Sequence, residues 1–157
     1  MASLRDQVGK QQPFDCPEQE AYLNLIRSAA LLGSAFSRLF KQHGLSESGY
    51  NVLRIVRGGG ELGKTWTEIR DQLVVPAPDV TRLIARLERE GLLCRERSIN
   101  DRRVVRVQLT ETGRARLDEV DPRVIGLHRG QLGHLSGAEL DRLSRLLEAA
   151  RAPHEVR

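Results

Sequence analysis

Gly58, Gly63, Lys64 and Thr65 occupy the four specified positions of G-x-x-x-x-G-K-[ST] in the stretch GGGELGKT. In that spacing a glycine-rich turn can wrap backbone N–H groups around a phosphate. The lysine can then reach its outer oxygens and the hydroxyl can hold magnesium. Cys16 offers a second chemistry, because a thiol at a helix start is drawn toward the thiolate and so toward oxidation. A third is electrostatic. Residues 82–106 hold eight arginines (Arg82, Arg86, Arg89, Arg95, Arg97, Arg102, Arg103 and Arg106) against four acids (Glu88, Glu90, Glu96 and Asp101), and 8 − 4 gives +4, the net charge of the whole chain. Arginine concentrated in this way suits a surface that meets phosphate groups.

The elements that would have to position these groups decide between them. A working phosphate loop needs a strand before it, a helix after it and another apolar strand ending in an acid that helps hold magnesium. YNVLRIV could pass for the first strand, but no run of four apolar residues ends in Asp or Glu. The order downstream is helix, hairpin, helix, helix, with no strand–helix alternation. The glycines are therefore assigned to a pliant connector, Lys64 to solvent, and Thr65 to a helix cap completed by Glu68. A P-loop nucleotide-binding enzyme stands as the alternative function.

Along the chain, residues 1–14 lack periodicity and are expected to form a flexible arm. Asp15 is placed to cap a helix, with Pro17 in its first turn and Glu18 at the capping-box position. The helix carries an apolar stripe from Tyr22 through Leu25, Ile26, Leu32 and Phe36 to Phe40 and stops at His43 and Gly44, giving a long element over 15–44. Ser46 caps a second helix containing Tyr50, Leu53 and Val56. The Thr65/Glu68 box opens a short third one, and VVPAP turns the chain into an amphipathic helix bearing Val80, Leu83, Ile84 and Leu87, closed by Gly91. GLLCRER and VVRVQLT, separated by the polar SINDRR, predict a hairpin. Thr110 caps the following helix, in which Pro122 is expected to produce a kink or break near Val120. Ser136 and Glu139 form another capping box before Leu140, Leu143, Leu146 and Leu147. The fold class is mainly α with a small β component (α+β).

No apolar run approaches the ~20 residues of a membrane span and the N-terminus is polar, so a cytoplasmic protein is expected. Two cysteines without C-x-x-C spacing and four histidines without an H-x-x-x-H pattern predict no metal site, and no cofactor is expected.

The order of short helix, turn, amphipathic helix and basic hairpin is that of a winged helix-turn-helix. The stretch Leu45 to Leu117, with the words YNVLRI, VTRLIARLEREGLL and DRRVVRVQLTETG, resembles the MarR family of bacterial transcription regulators. The resemblance implies a winged DNA-binding region over 45–110, flanked by dimerisation helices at 15–44 and 111–157. It implies a homodimer on a pseudo-palindromic operator, most often a repressor. By the same resemblance Thr81, Arg82 and Arg86 meet DNA from the recognition helix. Arg103 enters a minor groove with its guanidinium held by Asp101, while Arg102 or Asn100 touches the backbone. Arg95, Arg97 and Arg106 lie on strands with alternating faces, so some face phosphates and others solvent, and Arg95 and Arg97 are taken as the contacts. Family members also bind small aromatic or anionic effectors beside the dimer helices, where His43, Arg54 and Trp66 are candidate lining residues. Peroxide-sensing members use an N-terminal-helix cysteine, which makes a redox role for Cys16 a further alternative. A winged-helix module that binds protein alone is the remaining one.

Overall fold

A computed structural model describes residues 2–97 and 104–155. Its elements run α1 (Leu4–Gln7), α2 (Pro17–Gln42), α3 (Glu47–Gly58), β1 (Lys64–Thr65), α4 (Trp66–Gln72), α5 (Val80–Arg89), β2 (Leu93–Arg97), β3 (Val105–Leu109), α6 (Glu111–Leu132) and α7 (Gly137–Arg151). The three strands form one antiparallel sheet in the order β1-β3-β2.

Local chemistry sets most boundaries. Ser46, Thr65, Thr110 and Ser136 each accept an N–H from the first turn of the helix they precede, and Glu68 and Glu139 close reciprocal boxes with Thr65 and Ser136. Three expectations are corrected. The stretch read as a flexible arm carries one helical turn, because Ser3 and Asp6 form a capping box and Leu4 is buried. Cys16, not Asp15, is the N-cap of α2, with Pro17 as the first helical residue; Asp15 instead exchanges hydrogen bonds with Gln19 at 3.0 and 3.1 Å. Asp79 is the N-cap of α5. Pro122 does not break α6, which runs unbroken to Leu132 because Leu117, Val120 and Val124 are buried on both sides of it and hold the helix by packing.

The core gathers Leu39 and Phe40 of α2, Val52, Leu53 and Val56 of α3, Ile69 of α4, Ile84 and Leu87 of α5, Val107 and Leu109 of β3, and Leu117 and Val120 of α6. Above it α2 and α6 run together, tied where Gln131 donates to the Leu32 carbonyl at 2.8 Å. Much of the apolar stripe of α2 remains outside the core: Tyr22 is 62% exposed and Ile26 48%. α7 has no buried residue at all.

Candidate nucleic-acid interface

Val80, Ile84 and Leu87, at helical spacing, anchor α5 to the core and so fix which side faces outward. Thr81, Arg82 and Arg89 are exposed on that side, with Ala85 half-buried between them. Asp79 accepts the Arg82 N–H at 2.8 Å while its other oxygen lies 3.3 Å from the Arg82 guanidinium, whose side chain is 85% exposed. The cap thus restrains the arginine without covering it. Arg86, one turn on from Arg82, leans toward α3 with its side chain 43% exposed. Its Nη2 donates to Ser46 Oγ on the α3 side at 3.4 Å, and its Nε approaches Glu90 at 3.3 Å without hydrogen-bond geometry.

The hairpin brings a second basic surface beside α5. In the register Leu93↔Leu109 and Arg95↔Val107, Leu93 points inward and Arg95 continues the same face beyond the core, reaching Glu88 of α5 at 2.9 Å. Arg97 is exposed at the end of β2. Arg106, on the opposite face of β3, donates to the Gly63 carbonyl at 3.4 Å and lies 3.8 Å from Glu68. The expected contacts Asn100, Asp101, Arg102 and Arg103 lie outside the described residues.

The GGGELGKT stretch is occupied by this same architecture. YNVLRIV belongs to helix α3, so no strand precedes the loop. Lys64 and Thr65 are β1, paired with Val107 and Arg106 in an antiparallel sheet. Thr65 caps α4, and its N–H and hydroxyl, both directed at Glu68 (2.7 and 2.9 Å), hold that carboxyl below the usual range; Lys64 Nζ stands 3.7 Å from it. Gly63, with φ 64°, lets the connector pass close against β3. The third strand is what the sequence did not disclose, since two residues carry no periodicity.

A polar joint links the winged module to α6. The Tyr50 hydroxyl donates to Asp121 Oδ1 at 2.7 Å, and Arg54 (3.0 Å) and Arg57 converge on Oδ2. Burial raises the Asp121 carboxyl, but Tyr50, Arg57 and Arg54 together outweigh it and hold it below the usual carboxylate range. The Tyr50 phenol is pushed up to about 12, by burial first and then by its bond to Asp121. One turn away, His43 Nδ1 meets Glu119 at 3.2 Å and its carbonyl accepts from Arg116.

Next to this joint is a cleft of about 650 Å³, within the usual range for small-molecule sites. Phe36, Phe40, Tyr50 and His128 form one wall, with successive ring centroids 4.6, 6.3 and 4.7 Å apart in the order His128–Phe36–Phe40–Tyr50. Val74 to Pro78, the turn leading into α5, forms the other. His43, Arg54 and Trp66 do not belong to this cleft. His43 is engaged by Glu119, Arg54 by Asp121, and Trp66 lies under the Arg70 guanidinium at 5.0 Å. Cys16 is exposed at the α2 cap. Among the described residues no cluster of three or more His, Cys, Asp or Glu could hold a metal ion, and no helix is long and apolar enough to cross a membrane.

A short helix, a turn, an outward-facing basic helix and a three-stranded wing, set under long helices, match known regulators. The family model described as transcriptional regulator SarA/Rot matches residues 34–120. A solved MarR transcription factor from Planctomyces limnophilus is 42% identical, with 87% of this chain and 99% of that one covered and a TM-score of 0.65. The chain belongs to the MarR family of winged-helix transcription regulators. Two further MarR-type relatives carry functional descriptions. The homoprotocatechuate degradative operon repressor of Escherichia coli is 26% identical over 78% of this chain and 80% of its own length. Bordetella bronchiseptica BpsR, whose DNA binding is regulated by 6-hydroxynicotinic acid, is 26% identical with a TM-score of 0.74, covering 88% of this chain and 97% of that one. This MarR-family protein is accordingly a DNA-binding transcription regulator. Its α5 surface includes Ala85 and Arg89, which the sequence reading left out although they follow Thr81 and Arg82 at helical spacing. The cleft lining was also missed, because it joins residues from three helices and a turn that are far apart in sequence.

Proposed function

We propose that this regulator is a homodimeric repressor that places α5 of each protomer in successive major grooves of a pseudo-palindromic operator and is released by a small aromatic effector. The observation that carries the reading is the outward face of α5, where Thr81 and a restrained but exposed Arg82 stand clear of the core. Arg95, Arg97 and Arg89 supply phosphate contacts around it, while Arg86 braces α5 against α3 through Ser46. From the family pattern, Asn100 and Arg102 touch backbone and Arg103 enters the minor groove, steered by Asp101. Dimerisation is supported by the exposed apolar faces of α2 and α7. A 15-residue amphipathic helix with nothing buried needs a partner surface.

The cleft is the proposed effector site because its wall Val74–Pro78 runs directly into the Asp79 cap of α5, and the Val74 N–H is tied to Asn51 Oδ1 at 3.2 Å. A ligand that moves this turn changes the tilt of the recognition helix. Analytical ultracentrifugation with and without a duplex carrying the operator tests the assembly: two protomers per duplex are expected. Arg82→Ala should weaken operator binding by about 1–3 kcal/mol with the dimer intact. A monomer bound to DNA, or wild-type affinity in Arg82→Ala, overturns the arrangement.

A further inference from the structure

The cleft beside α3 is poorly equipped for an acid. Its described lining contains no arginine or lysine; the chargeable side chains are His128 and Glu47, of opposite sign. The guanidiniums close enough to be recruited already have partners: Arg54 and Arg57 converge on Asp121, Arg86 lies between Ser46 and Glu90, and Arg116 donates to the His43 carbonyl. Asp121 is itself largely buried, at 13% exposure, so withdrawing Arg54 or Arg57 toward a ligand would strip a buried carboxylate of its counter-charge. What the cleft does offer is a run of ring faces and neutral hydrogen-bonding groups: the Ser46 and Ser48 hydroxyls, 3.2 Å apart, and the Asn51 amide, whose oxygen is bound to Val74 and whose nitrogen remains to donate. An ionised carboxylate entering here would lose its hydration without gaining a fixed cation, and Glu47 would oppose it.

We propose that the effector of this cleft is an uncharged hydroxylated aromatic, a phenol-class molecule, and not an aromatic carboxylate. The ring packs against Phe36, Phe40 and the turn Val74–Pro78, and the hydroxyl exchanges hydrogen bonds with Asn51 and the serines. The inference rests on the cleft being the effector site, and its test separates the two. Isothermal titration of the full-length protein at neutral pH uses p-cresol and p-toluate, which share a methylated ring and differ in the polar group. The same titrations are run on Ala77→Phe, which fills the cleft, with thermal melting to check folding. Because the turn itself could be disturbed by that change, Asn51→Ala serves as a second variant that removes a polar partner without filling space.

The expected result is p-cresol binding at least tenfold tighter than p-toluate, with the p-cresol signal reduced at least fivefold in Ala77→Phe or Asn51→Ala. Equal or tighter binding of p-toluate, lost in Ala77→Phe, overturns the ligand class and leaves the cleft as the effector site. Absence of binding by either probe at millimolar concentration, or p-cresol binding indifferent to both variants, overturns the cleft assignment and the proposal with it.

Discussion

Replacing the glycines of GGGELGKT one at a time by alanine distinguishes a structural turn from a phosphate cradle. Gly63 has φ 64° and ψ −162°, a combination that is essentially confined to glycine. An added Cβ would press on the Val107 carbonyl of β3 and sit 2.7 Å from Gln108 Cγ. The backbone conformation costs roughly 1–3 kcal/mol and the overpacking against a fixed strand roughly 1–3 more, so Gly63→Ala should lose about 4 kcal/mol. Gly60, at φ 59° with nothing within 4 Å of an added Cβ, bears only the left-handed penalty, about 1–2 kcal/mol. Gly58 ends α3 and also has nothing within 4 Å, so alanine there should gain about 0.5 kcal/mol of helix propensity. Lys64→Ala should remain within about 1 kcal/mol of wild type, as its ion pair with Glu68 is long, at 3.7 Å, and partly exposed. Urea unfolding at one protein concentration gives the order, the fixed concentration being needed for a chain expected to dimerise. Gly63→Ala within about 1 kcal/mol of wild type would refute the close approach to β3. Micromolar, magnesium-dependent ATP binding abolished in Lys64→Ala would restore the nucleotide-binding alternative.

Three other outcomes are expected, the first two from the structure and the third from the family pattern. Asp121→Asn should cost about 2 kcal/mol at neutral pH, less than a fully buried pair because Arg54 and Arg57 are partly exposed. The folded-state pKa of Asp121 is depressed, so its contribution is present above the unfolded carboxyl's range near pH 4 and is lost as pH falls through the lower folded value. Wild type and variant should therefore converge in acid, and a constant gap in urea midpoints would count against the joint. Cys16→Ser should raise stability by about 0.5–1 kcal/mol, since the Cys16 side chain makes no capping hydrogen bond to the backbone of α2, and peroxide should leave operator binding unchanged; tenfold release by stoichiometric peroxide, absent in Cys16→Ser, would establish the redox alternative. Arg103→Ala should weaken operator binding by about 1–3 kcal/mol, and Asp101→Ala should weaken it too despite removing an acid near DNA; non-additivity in the double variant by fluorescence anisotropy supports the pair, and tighter binding by Asp101→Ala dissolves it.

Features written in neighbouring residues were legible from the sequence. The Thr65/Glu68 and Ser136/Glu139 boxes, the caps Ser46 and Thr110, the buried spacing of Val80, Ile84 and Leu87, and the two hairpin strands all depend on separations of a few residues. Features created by tertiary contact were not. Arg54 looked available for an anionic ligand because its partner, Asp121, lies on another helix. Arg86 sits at helical spacing from Arg82 but is drawn toward α3 by Ser46, a partner 40 residues away in sequence. β1 was hidden by its two-residue length, and Pro122 was given more weight than the packing on either side of it allows. The cleft is a product of four segments meeting, and no local pattern announces it.

The most direct test of the central claim is a selection of fragmented genomic DNA on the purified full-length protein, followed by base-resolution footprinting of the retained fragments. The account predicts a small set of sites, each protected over two inverted half-sites centred about one helical turn apart on one face of the duplex. Retention without sequence preference, or protection of isolated single half-sites, would contradict a dimer that reads DNA through paired α5 helices.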